Sequence, residues 1–283
     1  MYWVSSIRVA IKDVYLGTAP THIMIQKEFA HRAKAILASD HNVIGLAVAG
    51  SWLSNEMDEF SDLDLILVTK EKVAGNKDLM LAYAKKLGHF LSGFTGEHVG
   101  EPRVLICLYD EPLLHVDIKF LTLAEFHVRI EEPFLLLDKD GALQAVIDQS
   151  TAQFPYPDYQ WIEDRFWIWV HYALLKIGRG EYFEALDFFG FLRMSVLGPL
   201  LLIHNKQLPR GVRKVETNLA NVDLALLKGT IPNYDRESLL ASLRRAVALY
   251  KQLRTSLFGP EIQWQATTEA RAMDYLVEIE NRA

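Results

Sequence analysis

The chain has 283 residues, 50% of them apolar and 23% charged, which excludes a disordered or fibrous protein and allows one large or two medium domains. The net charge of −6 and pI of about 5.9 argue against gripping duplex nucleic acid through a basic face, while a local basic pocket for a triphosphate stays open. The single cysteine, Cys107, excludes an intramolecular disulfide and reads as a buried core thiol in an apolar run.

Residues 1–18 are mixed, with β-type character at 7–15. Arg8, Lys12 and Asp13 interrupt the apolar residues there, so no secretory signal is expected. Thr21 is expected to cap a helix running to about Ser39, and Asp40-His41-Asn42 turns the chain. Residues 43–49 read as a strand ending at Gly50-Ser51, and residues 62–69 read as the next. Asp58 and Glu59, between them, read as solvated loop acids. A loop at 70–76 leads to a predicted helix over 77–94, with Leu79, Leu81, Leu87, Phe90 and Leu91 as its apolar face. Residues 103–109 and 113–121 are predicted strands joined as a hairpin by Asp110-Glu111-Pro112. Residues 125–132 are a short helix or loop, 134–138 a strand, and 143–149 the start of a helix or a linker.

The breaker stretch at 154–158 marks a change from β-type to helical composition. The boundary is placed near 150, giving domains 1–150 and 151–283. Helices are predicted at 161–177, 181–205 with a kink near Gly198-Pro199, 219–227, 235–258 capped by Asp235, and 268–280. A basic loop covers 209–218. Short connections between these helices predict an antiparallel bundle, so the fold class is α+β. The apolar run at 188–203 is short for a bilayer span and is broken by Arg193 and Gly198-Pro199. A cytoplasmic protein without a membrane partner is therefore expected.

The chemistry concentrates at 43–70. Alternate residues of a strand share a face, roughly 6.5 Å apart, so Asp62 and Asp64 lie together opposite Leu63 and Leu65. Converging carboxylates repel unless a cation separates them, and all-oxygen ligands suit Mg²⁺, which also takes phosphates and water. Gly50 lets the backbone approach a bulky anion, and the N–H groups and hydroxyl of Gly50-Ser51 suit phosphate oxygens. Asp117 falls in the alternation Leu114, Val116, Ile118, Phe120 against His115, Asp117, Lys119. That pattern gives it a polar face, with His115 and Lys119 as its neighbours.

This layout resembles the nucleotidyltransferase superfamily, the polymerase-β-like fold: an apolar strand, Gly50-Ser51, a spacer of ten residues, then Ser61-Asp62-Leu63-Asp64-Leu65, with Asp117 between Val116 and Ile118 as the third carboxylate. The resemblance covers about the first 125 residues. It implies that Asp62, Asp64 and Asp117 are catalytic metal ligands, with Asp117 either the general base or a ligand only. It also implies that Gly50 and Ser51 bind the nucleotide, and that Mg²⁺ and a nucleoside triphosphate, taken to be ATP, are required. A nucleotidyltransferase domain followed by helices is similar to the adenylyltransferases that modify aminoglycosides and lincosamides. The expected acceptor is therefore a hydroxyl of a small molecule, with a protein or RNA acceptor, or a non-catalytic nucleotide-binding module, as alternatives. The same resemblance implies phosphate binding by Lys176, with Arg179 a rival. Lys176 shares a helix face with Arg165, Trp169 and Tyr172, a stripe whose aromatics at this spacing are more often packed core than a base-stacking face.

Overall fold

The computed structural model describes residues 21–54 and 56–282. The β-type run at 7–15 and the cap expected from the Thr21 side chain lie outside what it describes. The chain divides into two compact units, Met1–Phe154 and Pro155–Ala283.

In the first unit, helix α1 (Thr21–Ala38) precedes strands β1 (Val43–Val48) and β2 (Leu63–Thr69). Helix α2 (Lys77–Lys86), then β3 (His89–Gly96), β4 (Glu101–Asp110) and β5 (Leu114–Thr122) follow. A short helix α3 (Leu123–Phe126), strand β6 (Phe134–Asp138) and helix α4 (Ala142–Gln149) complete it. The strands form one mixed sheet in the order β3-β4-β5-β2-β1-β6. Its one parallel pair is β2 with β5; the other neighbours run antiparallel, and β4–β5 is the expected hairpin.

Alternation divides the sheet into two faces. Leu63, Leu65 and Leu67 of β2 and Val116, Ile118 and Phe120 of β5 are buried with Phe29, Ala33, Met80 and Ala84 of α1 and α2. Val68 and Leu121 point the other way, into a smaller cluster with Phe126, Leu143 and Val146. Gly45 allows α4 to lie close on this second face: a Cβ there would sit 2.4 Å from Leu143 Cδ1. Cys107 is 1% exposed, and burial pushes its thiol up to about 12.

The helix predicted over 77–94 is half helix and half strand. Asn76 caps α2, its Oδ1 accepting the Leu79 N–H at 3.2 Å. The buried face is Met80, Tyr83, Ala84 and Leu87, while Leu79 is exposed. The helix stops because Gly88, Gly93 and Gly96 are poor helix formers, and because β4 offers a free edge with which residues 89–96 pair. That pairing is non-local and leaves no period in the sequence.

In the second unit, α5 (Tyr159–Arg179) packs against α6 (Tyr182–Leu192), α10 (Arg236–Leu257) and α11 (Ala266–Asn281). Between α6 and α10 lie a π-helical segment (Arg193–Leu197), α7 (Gly198–His204), α8 (Val215–Asn218) and α9 (Asn221–Lys228). Asp158 and Asp235 cap α5 and α10 through the Trp161 and Ser238 N–H groups. The predicted kink takes the form of the π segment one turn before Pro199. There the Gly198 N–H bonds the Arg193 carbonyl, and Pro199 falls in the first turn of α7, where a missing N–H costs nothing. The run Tyr182–His204 is long and apolar enough to cross a membrane. Half of its apolar window is buried inside the protein.

Candidate active site

Asp62, Asp64 and Asp117 converge. Their ligand atoms all lie within 4.8 Å of one another, and each side chain is part-exposed. Strand pairing dictates the meeting: β2 and β5 are adjacent and parallel, with Asp64 directly beside Asp117. Both residues alternate with core leucine, valine and isoleucine, so both point away from α1 and α2. Asp62 precedes β2 and is held by the loop before it. There the buried Gln26 Nε2 donates to the Asp58 and Ser61 carbonyls at 3.1 and 2.9 Å. The Asp58 side chain, read from sequence as a solvated acid, accepts the Phe60 N–H at 3.0 Å and the Ser61 hydroxyl at 2.8 Å. It closes an Asx turn that shapes the approach to Asp62.

Burial raises the Asp117 carboxyl above its ordinary range, and the charge of Asp62 pushes the same way. His115 opposes both, with Nε2 2.9 Å from Asp117 Oδ1. Lys119, on the same strand face, is tied up. Its Nζ lies 2.9 Å from Glu101 Oε2, and Arg103 binds the same carboxylate through Nε at 2.7 Å and Nη2 at 2.6 Å. Those cations hold Glu101 down to about 2, the Arg103 hydrogen bond being the largest cause.

Gly50 and Ser51 open a short 3-10 turn, Gly50–Trp52, at the end of β1. The Ala49 N–H bonds the Asp64 carbonyl at 3.1 Å, which sets the turn beside the carboxylates. Gly50 has φ +64°, and a Cβ there would sit 2.1 Å from Asp64 Oδ2. Glycine is required twice: for the left-handed backbone and for the space Asp64 fills. Trp52 packs toward α1, near Phe134. We expect Gly50→Ala to cost about 1–3 kcal/mol of stability from backbone strain. Melting temperature checks this, and a value like that of the wild type would show that position 50 tolerates a Cβ against Asp64.

One side chain at the glycine turn has no counterpart in the sequence reading. Glu131, in the loop between α3 and β6, reaches across 81 residues to accept the Gly50 N–H at 2.9 Å. Nothing local marks it, because Glu131-Glu132-Pro133 looks like any polar lead into a strand.

Lys176 lies on α5, in the second unit. Its Nζ is 2.9 Å from both Glu181 Oε2 and Glu184 Oε1, and those bonds, Glu184 first, raise its pKa. A role at phosphates requires it to leave both partners. Its stripe is engaged within the unit: Arg165 lies over Trp161, Trp169 packs on Trp161 and Phe191, and Tyr172 bonds Glu184. Arg179 is exposed, 3.8 Å from Glu181.

Comparison with solved structures finds adenyltransferases among the neighbours. An aminoglycoside 6-adenyltransferase from Bacillus subtilis aligns over 91% of this chain and 99% of its own, at 15% identity and a TM-score of 0.40. A nucleotidyltransferase-like protein from Exiguobacterium sibiricum aligns over 91% of this chain and 81% of its own, at 10% identity and TM-score 0.34. The spectinomycin adenyltransferase AAD(9) from Enterococcus faecialis, solved with ATP and spectinomycin, aligns over 90% and 99%, at 14% identity and TM-score 0.28. No protein-family model and no curated protein matches the chain. Identities and scores this low do not transfer an activity, so the chemistry has to be read from the residues themselves.

Proposed function

We propose that this chain is a Mg²⁺-dependent nucleotidyltransferase that moves AMP from ATP to a hydroxyl of a small molecule. The observation that carries the reading is the convergence of Asp62, Asp64 and Asp117 beside the Gly50-Ser51 turn. The donor set fits a hard divalent ion: three carboxylates meet, and burial and the Asp62 charge disfavour ionisation of Asp117 unless a cation compensates. Asp62, Asp64 and Asp117 would hold Mg²⁺, which when bound supplies charge neutralisation for the triphosphate.

The protein's own groups supply the rest. The Gly50 and Ser51 N–H groups and the Ser51 hydroxyl bind phosphate oxygens and fix the α-phosphorus beside the carboxylates. The acceptor oxygen attacks that phosphorus, the bond to the bridging oxygen breaks, and pyrophosphate leaves. The acceptor proton passes to a carboxylate, and Asp117, beside His115, is assigned this role. His115 orients it. A net charge of −6 favours a cationic acceptor in a cytoplasmic setting, and aminoglycosides present many hydroxyls on such a scaffold.

The test is pyrophosphate release from ATP with spectinomycin, streptomycin, kanamycin and lincomycin, with and without Mg²⁺. Release that needs both an acceptor and the ion is expected. ATP binding without turnover on any acceptor would favour a non-catalytic nucleotide-binding module, and transfer of label from ATP to a macromolecule in a cell extract would favour a protein or RNA acceptor.

A further inference from the structure

We infer that Glu131 sets the affinity for the nucleotide by occupying the phosphate-binding N–H of Gly50 until a phosphate oxygen displaces it. The inference rests on the nucleotidyl-transfer reading and goes beyond it, assigning a role to a side chain that is neither one of the three converging carboxylates nor part of the glycine turn. Glu131 Oε1 sits 2.9 Å from the Gly50 nitrogen, so an oxyanion of this protein already satisfies the donor that a triphosphate would use. One N–H carries one hydrogen, and a second anionic acceptor cannot share it without weakening both bonds. Glu131 is also a further negative charge on a turn that Asp64 already touches at the Gly50 Cβ position.

The surrounding loop shows what moves. Arg129, 7% exposed, donates to the Phe126 carbonyl and to both the hydroxyl and the carbonyl of Ser150. The Glu132 carboxylate accepts the Ala152 N–H at 2.8 Å and pairs with Arg129. The backbone is pinned on both sides of Glu131. Release of Gly50 is therefore a rotation of the Glu131 side chain that gives up its charge-assisted hydrogen bond to the Gly50 N–H, and that loss is subtracted from nucleotide affinity.

The experiment is calorimetric titration of the full chain with α,β-methylene-ATP and Mg²⁺. It compares the wild type with Glu131→Gln, Glu131→Ala and Asp148→Asn, the last an exposed α4 residue whose substitution changes the net charge equally. Both Glu131 variants are expected to bind about tenfold tighter, the size of one hydrogen bond to a charged group, with Asp148→Asn like wild type. Unchanged or weaker binding in the Glu131 variants overturns the inference while leaving the nucleotide site standing. Equal tightening in all three variants overturns it as a general charge effect. No binding by any form, wild type included, removes the nucleotidyltransferase reading and this inference with it.

Discussion

Replacing Asp64 with asparagine is expected to cut pyrophosphate release roughly a thousandfold, the loss of about 4 kcal/mol of transition-state charge stabilisation, without lowering thermal stability. The two halves of that result come from one electrostatic fact. Asp62, Asp64 and Asp117 crowd their oxygens within 4.8 Å, and at Asp117, where burial raises the carboxyl most, the Asp62 charge pushes the same way. Asparagine keeps the shape, removes one charge and relieves the repulsion, so the melting temperature should hold or rise. The same change removes the charge a divalent ion needs. Mg²⁺ at saturating concentration should raise the melting temperature of the wild type through binding to the folded state and do much less for the variant. Thermal shift with and without Mg²⁺, beside the activity assay, reads all of this. A variant that keeps turnover, or gains as much from Mg²⁺ as wild type, would rule out these carboxylates as the ion's ligands.

Which parts of this site the sequence makes legible follows from the range of the forces involved. Asp62, Asp64 and Asp117 can be found because each interrupts a two-residue apolar alternation, and alternation alone fixes the face of a strand. That Asp64 and Asp117 meet depends on β2 and β5 being neighbours, a matter of topology that the resemblance supplied and local pattern does not. Strand β3 was hidden because its existence depends on the edge of β4, and its Phe90 and Leu91 mimic the continuation of α2. Glu131 was hidden for the same reason in stronger form, since its partner is 81 residues away and its neighbours carry no period. Lys176 shows the reverse. Its helical spacing was legible, but the side chains it binds, Glu181 and Glu184, follow the turn after α5, and helical spacing within α5 gives no sign of them.

The largest stability effect in the second unit is expected from Glu163→Ala, about 3–5 kcal/mol, the range for breaking a buried charged pair from one side. Glu163 is fully buried. Its carboxylate accepts the Tyr250 hydroxyl at 2.5 Å and the Gln265 N–H at 3.1 Å, and the Arg254 Nη1 at 3.1 Å. It therefore joins α5 to α10 and to the residue that opens α11. Arg254 would keep Glu269, at 2.5 Å from Nη2, so the damage falls on the buried Tyr250 hydroxyl and Trp167 Nε1–H, the latter 3.3 Å from Glu163 Oε1, and on the part-buried Gln265 N–H, all left without this acceptor beside the void of the lost side chain. Tyr250→Phe removes one of those donors while Glu163 keeps Arg254, and about 1.5–3 kcal/mol is expected there. Urea unfolding followed by tryptophan fluorescence measures both, since Trp161, Trp167, Trp169 and Trp264 all lie in this unit. The midpoint should fall with the slope unchanged. A loss under about 1 kcal/mol for Glu163→Ala would mean that water enters and satisfies the stranded donors, and that the helices are held by their apolar faces alone.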